Sequence, residues 1–191
     1  MNLRKSVARA LLRSYKARKQ RASRSDVEHC LCVARQTVAR TKYAFLISHG
    51  ISEDGGGPPS ARLVEPILET RDDDEDLVFW IGTNPSLRKV AEVEANPRVT
   101  LAFGHQRERA NLVVYGTASV VAEPELRRRL WKGEWRLFFP RGPLADDYVL
   151  LRVEARCLEI LSFRRNVVPE PFGLRPVRLV RREGAWGVDA G

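Results

Sequence analysis

Short apolar runs rich in β-branched and aromatic residues recur from Tyr43 to Phe163, and only two stretches between them carry helical spacing. The runs are "YAFLISHG" (43–50), "ARLVEPILET" (61–70), "LVFWIGT" (77–83), "RVTLAF" (98–103), "ANLVVYGTASVV" (110–121) and "DDYVLLRVEARCLEILSF" (146–163). Each has the composition of a strand. A parallel, doubly wound sheet needs a helical crossover after nearly every strand. Here helices are expected only at Leu87 to Ala95, stopped by Asn96-Pro97, and around "EPELRRRLWKGEW" (123–135). The order therefore predicts a mostly antiparallel sheet or barrel with peripheral helices.

Ahead of the strands, Val27 to Val38 has apolar residues at helical spacing behind a Ser25-Asp26 N-cap. "EDGGGPP" (53–59) reads as a turn, and the acidic run "RDDDED" (71–76) as a solvated hairpin tip in preference to a metal site. A chain of 191 residues with 43% hydrophobic content suffices for one sizeable domain with tails. No apolar run reaches the ~18 residues of a spanning helix, and the start lacks the apolar segment of a secretory signal. A soluble, cytoplasmic protein is expected. Three cysteines, Cys30, Cys32 and Cys157, suit neither a disulfide framework nor a zinc site.

The net charge of +9 suggests nucleic-acid binding until it is located along the chain. Residues 1–24 hold nine Lys and Arg and no acid, so the remaining 24 cations balance 24 acids and the body is neutral. Leu3, Val7, Leu11 and Tyr15 recur at helical spacing among those cations, the pattern of a basic amphipathic helix. Such a helix packs on the body, meets an anionic surface, or serves as an organellar transit peptide.

Hydrolytic chemistry finds no support: His29, His49 and His105 fall in no recognisable triad order or metal spacing. Neither a Walker sequence nor a dinucleotide glycine fingerprint is present. What stands out is "GTNPSLRKVAEVEANPRVTLAF" (82–103). Thr83 and Asn84 offer hydrogen-bond donors before a helix start, and Arg88 with Lys89 can neutralise a dianion.

Together with "SARLVEP", "NLVVYGTASVV" and "FFPRGPLADDYVLLRV", this stretch resembles the FMN-binding split barrel of the pyridoxamine-phosphate-oxidase-like superfamily, closest to its general stress protein branch. The resemblance covers about Val27 to Phe163. It implies a six-stranded antiparallel split β-barrel over 25–163, between a basic extension at 1–24 and a C-terminal extension at 164–191. It implies FMN as cofactor, with Arg62 at the flavin phosphate and the backbone of Leu63 and Val64 along the isoalloxazine. Gly82 and Thr83 match the strand end beneath the cofactor, Arg88 and Lys89 the cationic pair, and Asn111 a ring-contacting glutamine. A homodimer with the cofactor at its two-fold interface follows from the same resemblance.

Three departures qualify it. Leu87 replaces a serine that usually precedes the cationic pair, so a phosphate hydrogen bond is lost unless Ser86 supplies it. Ile67 stands where true pyridoxamine-phosphate oxidases hold substrate phosphate with a lysine, and "RRLWKGEWRLFF" lacks their Tyr, Arg and Ser set. The expectation is a flavin-dependent oxidoreductase acting on a small-molecule redox substrate other than a B6 vitamer, needing no acid or base side chain for hydride chemistry at the ring. The alternatives are a non-catalytic flavin-binding or sensing module and a split barrel using deazaflavin or haem.

Overall fold

The computed structural model describes residues 2–51, 57–69 and 77–189, with residues 2–4 described by backbone alone. In chain order the elements are α1 (Asn2–Arg21), α2 (Val27–Arg40), β1 (Ala44–Gly50), β2 (Gly57–Val64), β3 (Ile67–Glu69), β4 (Val78–Thr83) and α3 (Arg88–Ala95). They continue with β5 (Arg98–His105), β6 (Ala110–Val121), α4 (Pro124–Arg129), β7 (Val149–Ser162), β8 (Val177–Arg182) and β9 (Ala185–Val188). One nine-stranded sheet runs in the order β2-β1-β5-β6-β7-β4-β3, with β8 pairing both β7 and β9. The β1–β2, β1–β5, β3–β4, β4–β7 and β8–β9 pairs are antiparallel, and β2 and β3 end the path without closing it.

The strand count exceeds the expected six for local reasons. The single strand expected over 61–70 divides into β2 and β3 at Glu65-Pro66, because proline has no N–H to give a ladder. The C-terminal extension supplies the β8–β9 hairpin, whose turn at Glu183-Gly184 takes both residues to positive φ. Other boundaries shift as well. Gly57, Pro58 and Pro59, expected in a turn, open β2, while the rest of that turn and the acidic run 71–76 lie outside the described residues. The helix expected over 123–135 stops at Arg129 and gives way to a 3-10 turn at Gly133–Leu137.

The chain forms two compact units. The first comprises residues 1–40, 104–112 and 158–191. In it, Asp26 Oδ1 accepts the backbone N–H of His29 at 3.0 Å, the cap expected at the start of α2. Cys30, Leu31, Ala34, Leu158, Ile160, Val167 and Leu179 are buried. Glu108 is buried too, its carboxylate 3.1 Å from Arg40 and 3.4 Å from Arg165. Burial pushes that carboxyl up, but the Arg165 hydrogen bond and charge, with the charge of Arg40, outweigh it and hold the group below the usual range.

The second unit, 41–103 with 113–157, contains the stretch singled out above. Strand β4, "VFWIGT", registers against Val149–Glu154 of β7, and Phe79 packs on Phe103 with centroids 5.8 Å apart. Trp80 of β4 forms an aromatic cluster with Trp135, Phe139 and Tyr148, joined by Trp131. Gly82 is required here: a Cβ would stand 2.7 Å from the Trp135 ring and 2.9 Å from Tyr148.

Candidate functional site

At Thr83 strand β4 ends and the chain turns sharply. Asn84 Oδ1 accepts the Ser86 N–H at 2.8 Å, and the Leu87 N–H reaches Asn84 O at 3.2 Å, so the Asn-Pro-Ser sequence closes on itself. Leu87 is the N-cap residue of α3 and makes no side-chain cap bond. The first turn of α3 then carries Arg88 and Lys89 and no acid. Two cations at the positive end of a helix dipole are electrostatically unfavourable unless a negative group stands with them.

Part of that charge is Glu92, one turn along α3 and only 1% exposed. Its Oε2 accepts Ser48 Oγ–H at 2.6 Å and Arg62 Nη2 at 2.7 Å, while Oε1 lies 3.0 Å from Arg88 Nε. Arg62 also donates to Ser48 Oγ at 2.7 Å and Ser60 Oγ at 2.5 Å, and Arg88 donates to Ser60 Oγ at 2.7 Å. Burial pushes the Glu92 carboxyl up, but the Ser48 and Arg62 hydrogen bonds and the charges of Arg62 and Arg88 outweigh it and hold it below the usual range.

Lys89 is different. Half-buried, its ammonium has no hydrogen-bond or ion-pair partner among the described residues, and desolvation followed by the nearby Arg62 charge lowers its pKa. Arg62, Arg88 and Lys89 set against Glu92 leave two positive charges uncompensated within this network.

Lys89 faces a cavity of about 420 Å³ lined by Tyr43, Leu63, Val64, Glu65, Ile81, Gly82, Thr83, Asn84, Leu87, Trp135, Phe138 and Phe139. The size and the apolar walls with a few polar groups are those of a small-molecule site. Thr83, 1% exposed, has a buried Oγ1 without a hydrogen-bond partner. An orphaned hydroxyl and an unpaired ammonium in one cavity wall are costly to leave unsatisfied. Both are suited to a bound anionic or polar group. Tyr43, Leu63, Leu87 and Phe138 are exposed although they line the cavity, which gives it an apolar mouth. Glu65 in the wall is neutralised by Lys132 at 2.7 Å and Lys42 at 3.7 Å.

Of the residues singled out from sequence, Leu63, Val64, Gly82, Thr83 and Lys89 line this cavity. Arg62 and Arg88 belong to the Glu92 network, and Ser86 is exposed with its N–H turned to Asn84. Asn111 is exposed on β6, in the first unit. Sequence reasoning missed Glu92, whose i,i+4 spacing from Arg88 was the available signal. It also missed the wall formed by Trp135, Phe138 and Phe139, because "WKGEWRLFF" reads as the end of a helix. Arg127, the first of three consecutive arginines in α4, is 8% exposed and donates to the carbonyls of Pro143 at 2.8 Å and Ala145 at 2.5 Å.

The family model for pyridoxamine 5'-phosphate oxidase matches residues 34–161, well over half of the chain. Among solved structures, a Clostridium acetobutylicum protein related to general stress protein 26 is 22% identical, with 70% of this chain and 89% of that one covered at a TM-score of 0.58. A pyridoxamine 5'-phosphate oxidase-related, FMN-binding protein of Nostoc punctiforme is 14% identical, with 83% and 91% covered and a TM-score of 0.58. PhzG of Burkholderia lata, solved with tetrahydrophenazine-1-carboxylic acid, is 16% identical, with 83% and 87% covered and a TM-score of 0.54. No curated protein sequence matches the chain significantly.

Proposed function

The chain belongs to the pyridoxamine 5'-phosphate oxidase family, and on that premise we propose that it binds FMN in the Lys89 cavity and acts as a flavin-dependent oxidoreductase. The observation that carries this reading is the unpaired, half-buried Lys89 ammonium beside the orphaned Thr83 hydroxyl. A phosphate dianion matches the two uncompensated charges of the Arg62, Arg88, Lys89 and Glu92 group. It also answers the cations in the first turn of α3.

In this reading Lys89 binds the phosphate directly, and Thr83 Oγ1 donates to a polar atom of the ligand. Glu92 orients Arg62 and Arg88 toward the phosphate side. Val64 and Ile81, with the rings of Trp135 and Phe139, give the planar ring system an apolar bed and keep water from it. When bound, the flavin supplies the hydride and electron chemistry, and the protein contributes binding, orientation and electrostatics. Ile67 at the place of a substrate lysine argues against a B6 vitamer as substrate. The exposed Tyr43, Leu63, Leu87 and Phe138 at the mouth suit burial against a second copy of the chain, so we place the cofactor at a homodimer interface.

Titration of the full-length protein with FMN tests the reading, followed by absorbance and by flavin fluorescence. Binding of FMN is expected, with Lys89→Ala weakening it by one to two orders of magnitude, since a hydrogen bond to a charged group is worth about 1.5–3 kcal/mol. Arg62→Ala is a poorer probe, because it strands the buried Glu92 carboxylate. FMN that binds equally well to the Lys89 variant would place the phosphate elsewhere. Bound FMN that neither NADH nor NADPH reduces in the presence of an electron acceptor would leave a flavin-binding module without this activity.

A further inference from the structure

Helix α1 plays no part in the flavin reading, yet it carries the most unbalanced chemistry in the chain. Lys5, Arg9 and Arg13 follow one another at i, i+4 and i+8, a row about 12 Å long on one helix face. None has an ion-pair partner among the described residues. Elsewhere in the first unit arginines find carboxylates: Arg40 and Arg165 at Glu108, Arg178 at Glu159 and Asp189. The opposite face of α1 carries Val7 and Leu11, with Leu12 flanking the cation row. These three are 54%, 66% and 67% exposed.

The other end of the helix is fastened. Lys19 Nζ donates to Phe163 O at 2.6 Å and Asn166 Oδ1 at 2.8 Å, and Tyr15 meets Phe172 edge-on at 6.4 Å. Just beyond, the Arg24 N–H reaches Asn166 O at 2.8 Å and Ser23 Oγ accepts the Val168 N–H at 3.1 Å. The helix end is thus fastened at Tyr15, Lys19, Ser23 and Arg24, while residues 5–13 form a helix that is exposed on every side.

We propose that α1 docks this protein on an anionic phospholipid surface. With the Val7–Leu11 row sunk into the boundary between headgroups and acyl chains, the cations on the far side of a helix 10–12 Å across stand at about phosphate depth. Unpaired cations alone would serve a nucleic-acid backbone equally well. The exposed aliphatic row has no counterpart there and does in lipid. The helix lies on the membrane and does not cross it, since no described helix is long and apolar enough to span. Its anchored end means that little ordering entropy remains to be lost on binding.

The test is cosedimentation of full-length protein with vesicles of phosphatidylcholine alone and of phosphatidylcholine containing phosphatidylserine. Partition to the anionic vesicles is expected to be at least about tenfold stronger and to fall as salt is raised. Reversing the row with Lys5→Glu, Arg9→Glu and Arg13→Glu lowers it by about two orders of magnitude or more, each basic residue being worth roughly fivefold near such a leaflet. Val7→Ser with Leu11→Ser, which leaves every charge in place, lowers it by roughly tenfold. A gel shift with duplex DNA separates the other anion. The proposal is overturned if partition ignores phosphatidylserine or if the serine variant partitions like the parent. It is equally overturned if duplex DNA is bound more tightly than the vesicles.

Discussion

Replacing Glu92 by glutamine removes one negative charge and almost no volume from the centre of the cationic group. Glu92 meets two arginines, and they are not equivalent: the Arg88 side chain is 76% exposed, whereas that of Arg62 is 20% exposed. Solvent screening reduces the Arg88 pair to a few tenths of a kcal/mol at most. The Arg62 contact at 2.7 Å is a charge-assisted bond largely out of water, worth about 1.5–3 kcal/mol. A glutamine oxygen in the Oε2 place can still accept both the Ser48 and Arg62 bonds, but without the charge that about doubles their strength, and the amide nitrogen then faces the Arg88 Nε donor. A net loss of about 1–2 kcal/mol follows, which for a chain of this length is a fall in Tm of about 2–8 °C.

The loss depends on pH in a fixed sense. The folded carboxyl is held below its unfolded value of about 4.3. Its contribution is therefore fully present above that value and disappears as pH falls through the lower folded value. Thermal unfolding of the two proteins followed by circular dichroism should show the full gap at neutral pH and a closing gap on acidification. Equal midpoints at neutral pH, or a gap that persists unchanged after the carboxylates are protonated, would refute the reasoning.

Other outcomes follow from single contacts. Arg127→Ala should cost about 2–3 kcal/mol in urea unfolding, because it strands the carbonyls of Pro143 and Ala145 and removes a cation 5.8 Å from the Tyr148 ring centroid. Arg128→Ala, on the exposed face beside Glu125, should stay within about 0.5 kcal/mol of the parent. Gly82→Ala should destabilise by about 1–3 kcal/mol, since its Cβ enters the Trp135 ring at 2.7 Å. Because Trp135 forms part of the cavity wall, the same variant should also change its fluorescence spectrum.

Local chemistry made most of the strands and α3 legible in advance. The alternation of "ANLVVYGTASVV" returned as β6 with the expected bounds, and Asn96-Pro97 ended α3 where proline forbids continuation. The β8–β9 hairpin is not legible in advance, because "PVRLVRREGAWGV" mixes cations into its alternation, and only the sheet shows that Leu179 is buried. In the candidate site, the cations were legible and their counter-charge was not. Glu92 looks like any surface glutamate on a charged helix, and its burial arises from Ser48 on β1 and Arg62 on β2, far away in sequence. Arg127 is the opposite case: three consecutive arginines read as a solvated face, and only the fold shows that the 143–145 loop supplies carbonyls to the first of them.

The central claim is that this cavity reads a phosphate through Lys89, and the most direct test is the ratio of FMN to riboflavin affinity in the parent and in Lys89→Ala. The two ligands share a ring system and differ in the phosphate alone. The account predicts that the parent prefers FMN by about two orders of magnitude, and that most of this preference disappears in the variant while riboflavin affinity stays nearly constant. Equal affinity for both ligands in the parent, or a preference that survives loss of Lys89, would contradict it.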